Sequence, residues 1–378
     1  MEGIWSLPGP AQFTGDIRAR LDRGAAVLAV LPGVASDGFR SELLAAVDYG
    51  FDVLDSWIPP ERPLPSVIAE RLGIDDIEAG ADAVAALARH PVMLGRPVAV
   101  TLGDKPDERE RWATFLQAFL AAARTVAVAD RPRLLVLGGH ECATSLARAE
   151  LLETQWWWGV LDRLDAASLV RREHFGRGGN GLLRDTVTEV AGFDLRLACH
   201  LAAEWDGDER TLPDALAGYR SPAGPAAAVP SELPHSSTPL DAPPAAMLAL
   251  WDQGLVDAWD AFPVYVHPCC ASREALRQRI WRAQIRCLMP QIDEERARIA
   301  AWLRREVRTA GEDEILEPGD LYEIMQANPA LKSWRGGHRY RLVCWLRQAR
   351  NQLAHLNVLA PEDIAHGQRL SRNDRQRG

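Results

Sequence analysis

The first half of the chain alternates short apolar runs with segments of helical periodicity, and this pattern limits the possible folds more than any other feature. The run Ala25–Leu31 ends at Pro32-Gly33 and predicts a buried strand, and helical spacing follows over Gly38–Val47. Further strands are predicted over Asp52–Ile58, Val98–Thr101 and Leu134–Leu137. Strands that alternate with helices are typical of a largely parallel sheet covered on both faces. We therefore predict an α/β fold for the N-terminal part of the chain.

A segment rich in proline, alanine and serine divides the chain. It covers residues 220–245 and has the composition of a linker. We expect an α/β domain over 1–219 and a helical domain over 246–378, with the core of the helical domain at about 271–370. A chain of 378 residues is long enough to build both cores. Continuous helices are predicted over 184–204 and 245–260, and the segment Phe262–Pro268 is predicted to be extended.

The charge is distributed unevenly between the two parts. The net charge is −9, yet from Ala271 onward 20 arginines and lysines stand against 14 aspartates and glutamates. An acidic N-terminal part and a basic C-terminal part suit RNA binding by the latter, because phosphate contacts supply most of the non-specific affinity for nucleic acids. The alternative is that the arginine-rich helices simply present solvated faces.

The cysteines and the hydropathy pattern bear on the compartment. The six cysteines lack the spacing of a disulfide framework, and no apolar stretch reaches the length of a membrane span. We predict no signal peptide, because charged residues and proline interrupt the beginning of the chain. The expectation is a reduced, cytoplasmic protein without membrane association.

One short polar motif near the C-terminus carries candidate chemistry. Arg350-Asn351 is followed by His355 on a predicted helix. An Arg-x4-His pair alone is expected by chance in a chain this rich in arginine, and the adjacent asparagine makes the motif more specific. Apolar residues recur with the spacing of one buried helical face, and Arg347, Asn351 and His355 then fall on the opposite face, with Arg350 on its flank. The apolar residues are Leu342, Leu346, Ala349, Leu353 and Leu356.

These residue types fit the cleavage of a phosphodiester without a metal. Histidine is the side chain whose ordinary pKa allows proton transfer near neutral pH. The planar guanidinium of arginine binds phosphate oxygens in a bidentate way. The alternative is an ordinary amphipathic helix in which His355 is a surface residue or a C-terminal cap.

The last hundred or so residues resemble a HEPN domain, a small helical bundle whose nuclease members carry Arg-x4–6-His, commonly with Asn after the Arg. The resemblance rests on Arg350, Asn351 and His355, on the arginine-rich helices predicted over about 272–309 and on a short helix at 319–327. It implies a metal-independent endoribonuclease that needs no cofactor and forms a homodimer with the two motifs facing one cleft.

The HEPN resemblance also implies a role for each motif residue. His355 would act as acid and base on the ribose 2′-hydroxyl and the leaving group, Arg350 would neutralise charge on the phosphate, and Asn351 would orient the reacting groups. Arg347 on the same face, and His338 and Arg339 at the beginning of the helix, are predicted to contact the RNA substrate.

The turn after the first strand has the glycine spacing of a phosphate-binding loop. Gly33 and Gly38 match Gly-x4-Gly, but Phe39 stands where the loop needs lysine and Arg40 where it needs serine or threonine. No aspartate follows Leu137, where a second acidic motif is expected. The N-terminal part therefore resembles an AAA+/STAND P-loop NTPase that lacks its hydrolytic residues.

Two interpretations of this turn remain open. Gly33, Gly38 and Arg40 are candidate contacts for a nucleotide that is bound but not hydrolysed. The other interpretation is a tight turn between a strand and a helix, which requires glycine for its backbone conformation.

The two resemblances together imply three functions for the whole chain. The first is an endoribonuclease of a prokaryotic antiviral defence or toxin system, held in check by the N-terminal domain or a protein partner. The second is a non-catalytic assembly or adaptor subunit of a multi-protein phage-defence complex. The third is nucleotide sensing by the N-terminal domain.

Overall fold

The computed structural model describes residues 3–55, 58–59, 61–75, 77, 80–103, 105–175, 181–220, 240–260, 262–307 and 315–376. The chain forms two compact units, each built from two chain segments. The first unit comprises Met1–Asp165 and Ser221–Cys270, and the second comprises Ala166–Arg220 and Ala271–Gly378.

Fifteen α-helices and seven strands are found within these described residues. The strands are β1 (Ala26–Val30), β2 (Asp52–Asp55), β3 (Pro97–Thr101), β4 (Arg133–Gly138), β5 (Leu152–Trp156), β6 (Val256–Trp259) and β7 (Phe262–Val266). The helices are α1 (Pro8–Asp22), α2 (Asp37–Val47), α3 (Leu64–Arg71), α4 (Ala83–Arg89), α5 (Pro106–Ala123), α6 (His140–Ser145), α7 (Arg163–Val170), α8 (Gly181–Ala191), α9 (Leu195–Glu204), α10 (Leu212–Ala217), α11 (Leu248–Asp252), α12 (Arg273–Val307), α13 (Pro318–Ala327), α14 (His338–Ala354) and α15 (Pro361–Arg375).

A five-stranded parallel sheet forms the centre of the first unit. Its order is β2-β3-β4-β1-β5, and Val27 of β1 lies between Leu135 of β4 and Glu153 of β5. Every residue of β1 is buried. A continuous apolar strand is expected where helices cover both faces of a parallel sheet. The predicted α/β character of the N-terminal part is thereby confirmed.

Four of the five sheet strands lie within or overlap the predicted runs, whereas β5 was not predicted. Its side chains at Glu153 and Thr154 are exposed, and it pairs only with β1 at the edge of the sheet. An edge strand with a polar face carries too few apolar residues to be recognised from periodicity.

The segment after α11 is a hairpin. The predicted helix over 245–260 is wrong in its second half, because α11 ends at Asp252 and Gly254 has a φ of 70°. Such a left-handed residue ends a helix readily when it is glycine. The strand β6 then pairs antiparallel with β7, which lies in the segment predicted to be extended.

The hairpin contains a buried carboxyl group, Asp257, that is only 7% exposed. Its Oδ1 accepts hydrogen bonds from the backbone N–H groups of Gly159 and Ala258, both at 2.8 Å. Burial raises the pKa of Asp257 to about 7 even though these two hydrogen bonds favour the ionised form. The native carboxyl therefore binds its proton more tightly than the unfolded chain, where an aspartate has a pKa of about 3.9.

We expect the contribution of Asp257 to the stability of the first unit to fall as the pH rises from about 4 to about 7, because over this window its carboxyl group is protonated in the native state and ionised in the unfolded chain. Asp257→Asn retains the acceptor oxygen but cannot ionise. The variant should match the wild type near pH 4 and exceed it at pH 8 by about 2–4 kcal/mol in free energy of unfolding. Denaturant titrations at several pH values measure this, with Asp16→Asn on the exposed face of α1 as the control. Parallel pH profiles for Asp257→Asn and the wild type would contradict the expectation.

The second unit is built from helices throughout its described residues. The apolar core of its C-terminal part is formed by α12, α13, α14 and α15. The predicted helix over 184–204 is divided at Gly192, whose φ is 63°, and Asp194 caps the beginning of α9. The helix α8 packs on α12, and the buried Glu189 accepts hydrogen bonds from Arg282 and Arg286. None of the helices within the described residues combines the length and the apolar character needed to cross a bilayer.

The two units divide the chain differently from the predicted continuous domains over 1–219 and 246–378. The segment Ala166–Arg220 belongs to the second unit, and Ser221–Cys270 belongs to the first. The reason is packing. Val187 and Leu201 share an apolar cluster with Ile280 of α12, whereas Trp251 lies in the core of the sheet. Most of the predicted linker, residues 221–239, lies outside the described residues.

Candidate functional site

The motif helix α14 is amphipathic, as the sequence predicts. Its buried face consists of Leu342, Val343, Leu346, Ala349 and Leu353. These side chains belong to the core of the second unit. Burial of this face leaves the polar side of α14 free for other contacts.

The structure corrects the prediction for Leu356, which does not continue the buried face. It has a φ of 61° and its side chain is 56% exposed. The N–H of Leu356 bonds to the carbonyl of Leu353, and the N–H of Asn357 bonds to that of Gln352. This is the Schellman ending of a helix, in which glycine usually takes the left-handed position. A leucine there carries backbone strain, and such strain often accompanies functional sites.

His355 is the C-terminal cap of α14, and both its side chain and that of Asn351 are exposed. Neither side chain makes a hydrogen bond or an ion pair to the rest of the described chain. The two residues are four apart and are therefore neighbours on the helix surface. Arg347 lies on the same side, with its Cζ atom 4.7 Å from the centre of the Tyr322 ring. The cap position agrees with the simpler interpretation of His355, while its exposure leaves the imidazole accessible.

Arg350 is directed toward α13. Its Nη2 atom lies 3.0 Å from Oε2 of Glu317, the residue that caps the beginning of α13. The five-residue separation places Arg350 and His355 roughly 140° apart around the helix and about 7.5 Å apart along it. No hydrogen bond joins the two side chains among the described residues. A single copy of the chain thus holds the guanidinium and the imidazole on different sides of α14.

Two contacts near His355 were not predicted from the sequence. The indole Nε1 of Trp281 donates to the carbonyl of Leu353 at 2.7 Å, and Nη2 of Arg277 donates to Oδ1 of Asn357 at 3.1 Å. Both donors come from α12, about 75 residues earlier in the chain. Their spacing in α12 identifies one helix face, but no sequence signal indicates which segment that face meets.

His338 and Arg339 are not close to His355, so they do not line one cleft with it in a single copy of the chain, and their contact with RNA stays a prediction. They begin α14, whereas His355 follows its last residue, so about 25 Å of helix separates them. His338 Nε2 donates to the carbonyl of Leu370 at 2.7 Å, and Arg339 Nε donates to Oδ1 of Asp374 at 3.0 Å. His338 and Arg339 belong to the same helix as the motif, but they lie at its other end.

The loop after β1 in the first unit has the predicted position, but one of its N–H groups already has an anionic partner. The N–H of Gly33 donates to Oδ1 of Asp252 at 2.8 Å, and a Cβ atom on Gly33 would lie 2.7 Å from Oδ2 of Asp252. Nη1 of Arg40 lies 3.7 Å from Oδ1 of Asp37. Gly38 lies in the first turn of α2. A phosphate at this loop would meet the carboxylate of Asp252.

The same carboxylate lies at the crevice where α/β sheets usually bind ligands. After β1 the chain continues to β2 at one edge of the sheet, and after β4 it continues to β5 at the other edge. Ligands usually bind at the carboxyl ends of two neighbouring strands whose connections diverge in this way. His140, directly after this end of β4, has Nδ1 3.6 Å from Oδ1 of Asp252. Nucleotide binding by Gly33, Gly38 and Arg40 stays a prediction, and Asp252 and His140 are the groups that the sequence did not reveal there.

Within the described ranges, no group of three or more histidine, cysteine, aspartate or glutamate side chains is arranged to hold a metal ion. No family model matches the sequence, no curated protein matches it, and no solved structure matches the fold.

Proposed function

We propose that the second unit is a metal-independent endoribonuclease whose reactive residues are His355, Asn351 and Arg350. The observation that carries the proposal is the exposure of an adjacent imidazole and amide on α14 without partners elsewhere in the described chain. Polar side chains that the fold does not use for stability are available for a substrate. The resemblance to HEPN domains supports the same residues.

The chemistry is a transesterification within the RNA chain. A neutral imidazole of His355 removes the proton from a ribose 2′-hydroxyl as O2′ forms a bond to phosphorus. The bond from phosphorus to O5′ breaks, and an imidazolium delivers a proton to the departing oxygen. The products are a 2′,3′-cyclic phosphate and a free 5′-hydroxyl, and no water is consumed. Arg350 stabilises the charge on the equatorial phosphate oxygens.

The ion pair between Arg350 and Glu317 does not prevent this role. Both side chains are substantially exposed, at 36% and 44%. Exposed ion pairs contribute about 0–1 kcal/mol, so a phosphate can replace the carboxylate of Glu317 at small cost.

We propose that the active form is a homodimer with two copies of the motif in one cleft. One observation favours it: Arg350 and His355 of a single chain point to different sides of α14, so a second copy can complete each site. The exposed Leu356 beside His355 provides apolar surface for such a contact. The first unit would then act as a regulatory, ATPase-like domain without hydrolysis, in the setting of prokaryotic antiviral defence or a toxin.

Incubation of the purified chain with single-stranded RNA tests the proposed reaction. We expect cleavage with EDTA present, products that end in a 2′,3′-cyclic phosphate, and no cleavage of RNA with 2′-O-methyl groups, because the 2′-hydroxyl is the nucleophile. DNA of the same sequence is the control substrate. Cleavage that requires magnesium, or that proceeds on the methylated RNA, would exclude this mechanism.

A second function, that of a non-catalytic assembly subunit, is favoured by the first unit. The carboxylate of Asp252 accepts the N–H of Gly33 in the loop where a nucleotide phosphate would bind, and its negative charge disfavours a phosphate there. A chain that uses one such domain only for docking has less need of a second active site. Co-purification of defined partners from the native host, together with intact RNA in cells that express the chain, would support this alternative.

A further inference from the structure

A groove in the second unit combines arginine side chains with two tryptophans. It has a volume of about 640 Å³ and lies between the end of α12, the segment before α14, and the end of α15. This volume falls in the range of about 300–1,000 Å³ typical of small-molecule sites. Its lining includes Arg298, Trp302, Arg305, Trp334, Arg339 and Asp374.

The wall of the groove is ordered by ion pairs. Asp374 is buried, and its two carboxylate oxygens lie 3.0 Å from Nε of Arg339 and 2.5 Å from Nη1 of Arg298. The Cζ atom of Arg339 also lies 4.4 Å from the centre of the Trp302 ring. These contacts neutralise Asp374 and fix Arg339, so Arg339 is part of the wall and is not a free phosphate ligand.

Two groups on the rim remain available. The Trp334 ring is 39% exposed, and it is held edge-on against Trp302 with 5.0 Å between ring centres. Arg305 is exposed and makes no ion pair within the described parts of the chain. Arg339 lies over one side of the Trp334 ring, with its Cζ atom 5.8 Å from the ring centre, and the rest of the ring is partly exposed. A partly exposed aromatic ring with a cation beside it is the combination that holds a nucleobase and its phosphate.

The beginning of α14 supplies further donors to the same groove. Its N-terminal cap is Gly337, which has no side chain to accept the first N–H groups, and no acidic residue lies in the first turn. Unpaired N–H groups at the beginning of a helix attract anions. Gly337 itself lines the groove.

We infer that this arginine–tryptophan groove binds a nucleotide, with its base stacked on Trp334 and its phosphate between Arg305 and the beginning of α14. The nucleotide is either a free mononucleotide or one unpaired residue of single-stranded RNA. The inference goes beyond the proposed cleavage and does not depend on it, because the groove lies at the other end of α14 from His355.

Binding is measured with the full chain carrying His355→Ala, in EDTA, so that cleavage plays no part. Titration calorimetry with AMP tests the free nucleotide, and the fluorescence anisotropy of a labelled single-stranded RNA decamer tests the polymer. Binding in either arm supports a nucleotide site if Trp334→Leu weakens it about five- to 150-fold, the effect of losing one base–aromatic stack. Trp334→Phe should retain most of the affinity.

The charge on the rim has its own test. For the decamer, Arg305→Gln should make the slope of log K against log salt shallower by about 0.7, the effect of one lost phosphate contact. Arg369→Gln, on the exposed side of α15, removes an equal charge outside the groove and should leave the slope unchanged. No binding in either arm, full affinity in a folded Trp334→Leu variant, or equal effects of the two arginine substitutions would overturn the inference.

Discussion

His355→Ala is expected to lower the rate of RNA cleavage by at least about 10²-fold, because general acid–base catalysis by one side chain contributes about 10²–10⁴-fold. The side chain is exposed and makes no hydrogen bond or ion pair to the parts of the chain that the structure describes. Its removal should therefore leave the thermal midpoint of the second unit nearly unchanged, as for most surface substitutions. Initial rates on the labelled RNA substrate, measured beside thermal melts, test both parts of this prediction.

His366→Ala is the matched control, because His366 is an exposed histidine of α15 in the same unit. Its rate should equal that of the wild type. Arg350→Lys keeps the charge but loses bidentate geometry and should be slower than the wild type. Glu317→Gln releases Arg350 and should not slow the reaction. Equal cleavage rates for the His355→Ala and His366→Ala variants would show that the imidazole of His355 takes no part in the reaction.

Gly367→Ala is expected to destabilise the second unit by about 3 kcal/mol, the upper part of the usual range for overpacked cores. A Cβ atom on Gly367 would lie 2.0–2.4 Å from three ring atoms of Trp345. The ring cannot withdraw easily, because its Nε1 donates to the carbonyl of Asp363 at 2.9 Å. The gain of about 1 kcal/mol in helix propensity from glycine to alanine is too small to offset the clash.

Gly319→Ala is the control for the change at Gly367, because nothing lies within 4 Å of the added atom and the residue is also helical. Denaturant titrations should show Gly319→Ala near the wild type or slightly more stable. The double variant Gly367→Ala, Trp345→Leu should recover part of the loss, since the smaller side chain makes room. If the Gly367→Ala variant were as stable as the Gly319→Ala variant, the Trp345 side chain would be able to move and accommodate the added methyl group, which contradicts the prediction.

The sequence predicted most of the local structure correctly, for reasons visible in particular segments. The continuous apolar run that forms β1 and the helical spacing of the arginine-rich segment that forms α12 each extend over a whole element. The sequence did not predict the break between α8 and α9 at Gly192, which has a left-handed backbone conformation. From sequence, a glycine that ends a helix cannot be told apart from a glycine that a helix tolerates. The edge strand β5 was missed because half of its face is solvated.

At the candidate site, likewise, the helix faces were predicted from the sequence and the contacts between helices were not. The buried face of α14 and the exposure of Asn351 and His355 follow from helical spacing, so they were predicted. The ion pair of Arg350 with Glu317 and the approach of Trp281 to Leu353 depend on which helices pack together. The Asp252 carboxylate at Gly33 joins residues more than 200 positions apart, and no local pattern encodes that pairing.

Periodicity and composition sufficed to establish an α/β part, a helical part and a polar motif on a solvated helix face, because these properties depend on neighbours along the chain. The folded molecule alone decided that Ala166–Arg220 belongs with the C-terminal helices, that Asp252 occupies the turn after β1, and that His338 and His355 lie at opposite ends of one helix. Such pairings arise from apolar surfaces that bury each other at long sequence separation, and many pairings are compatible with the same local pattern.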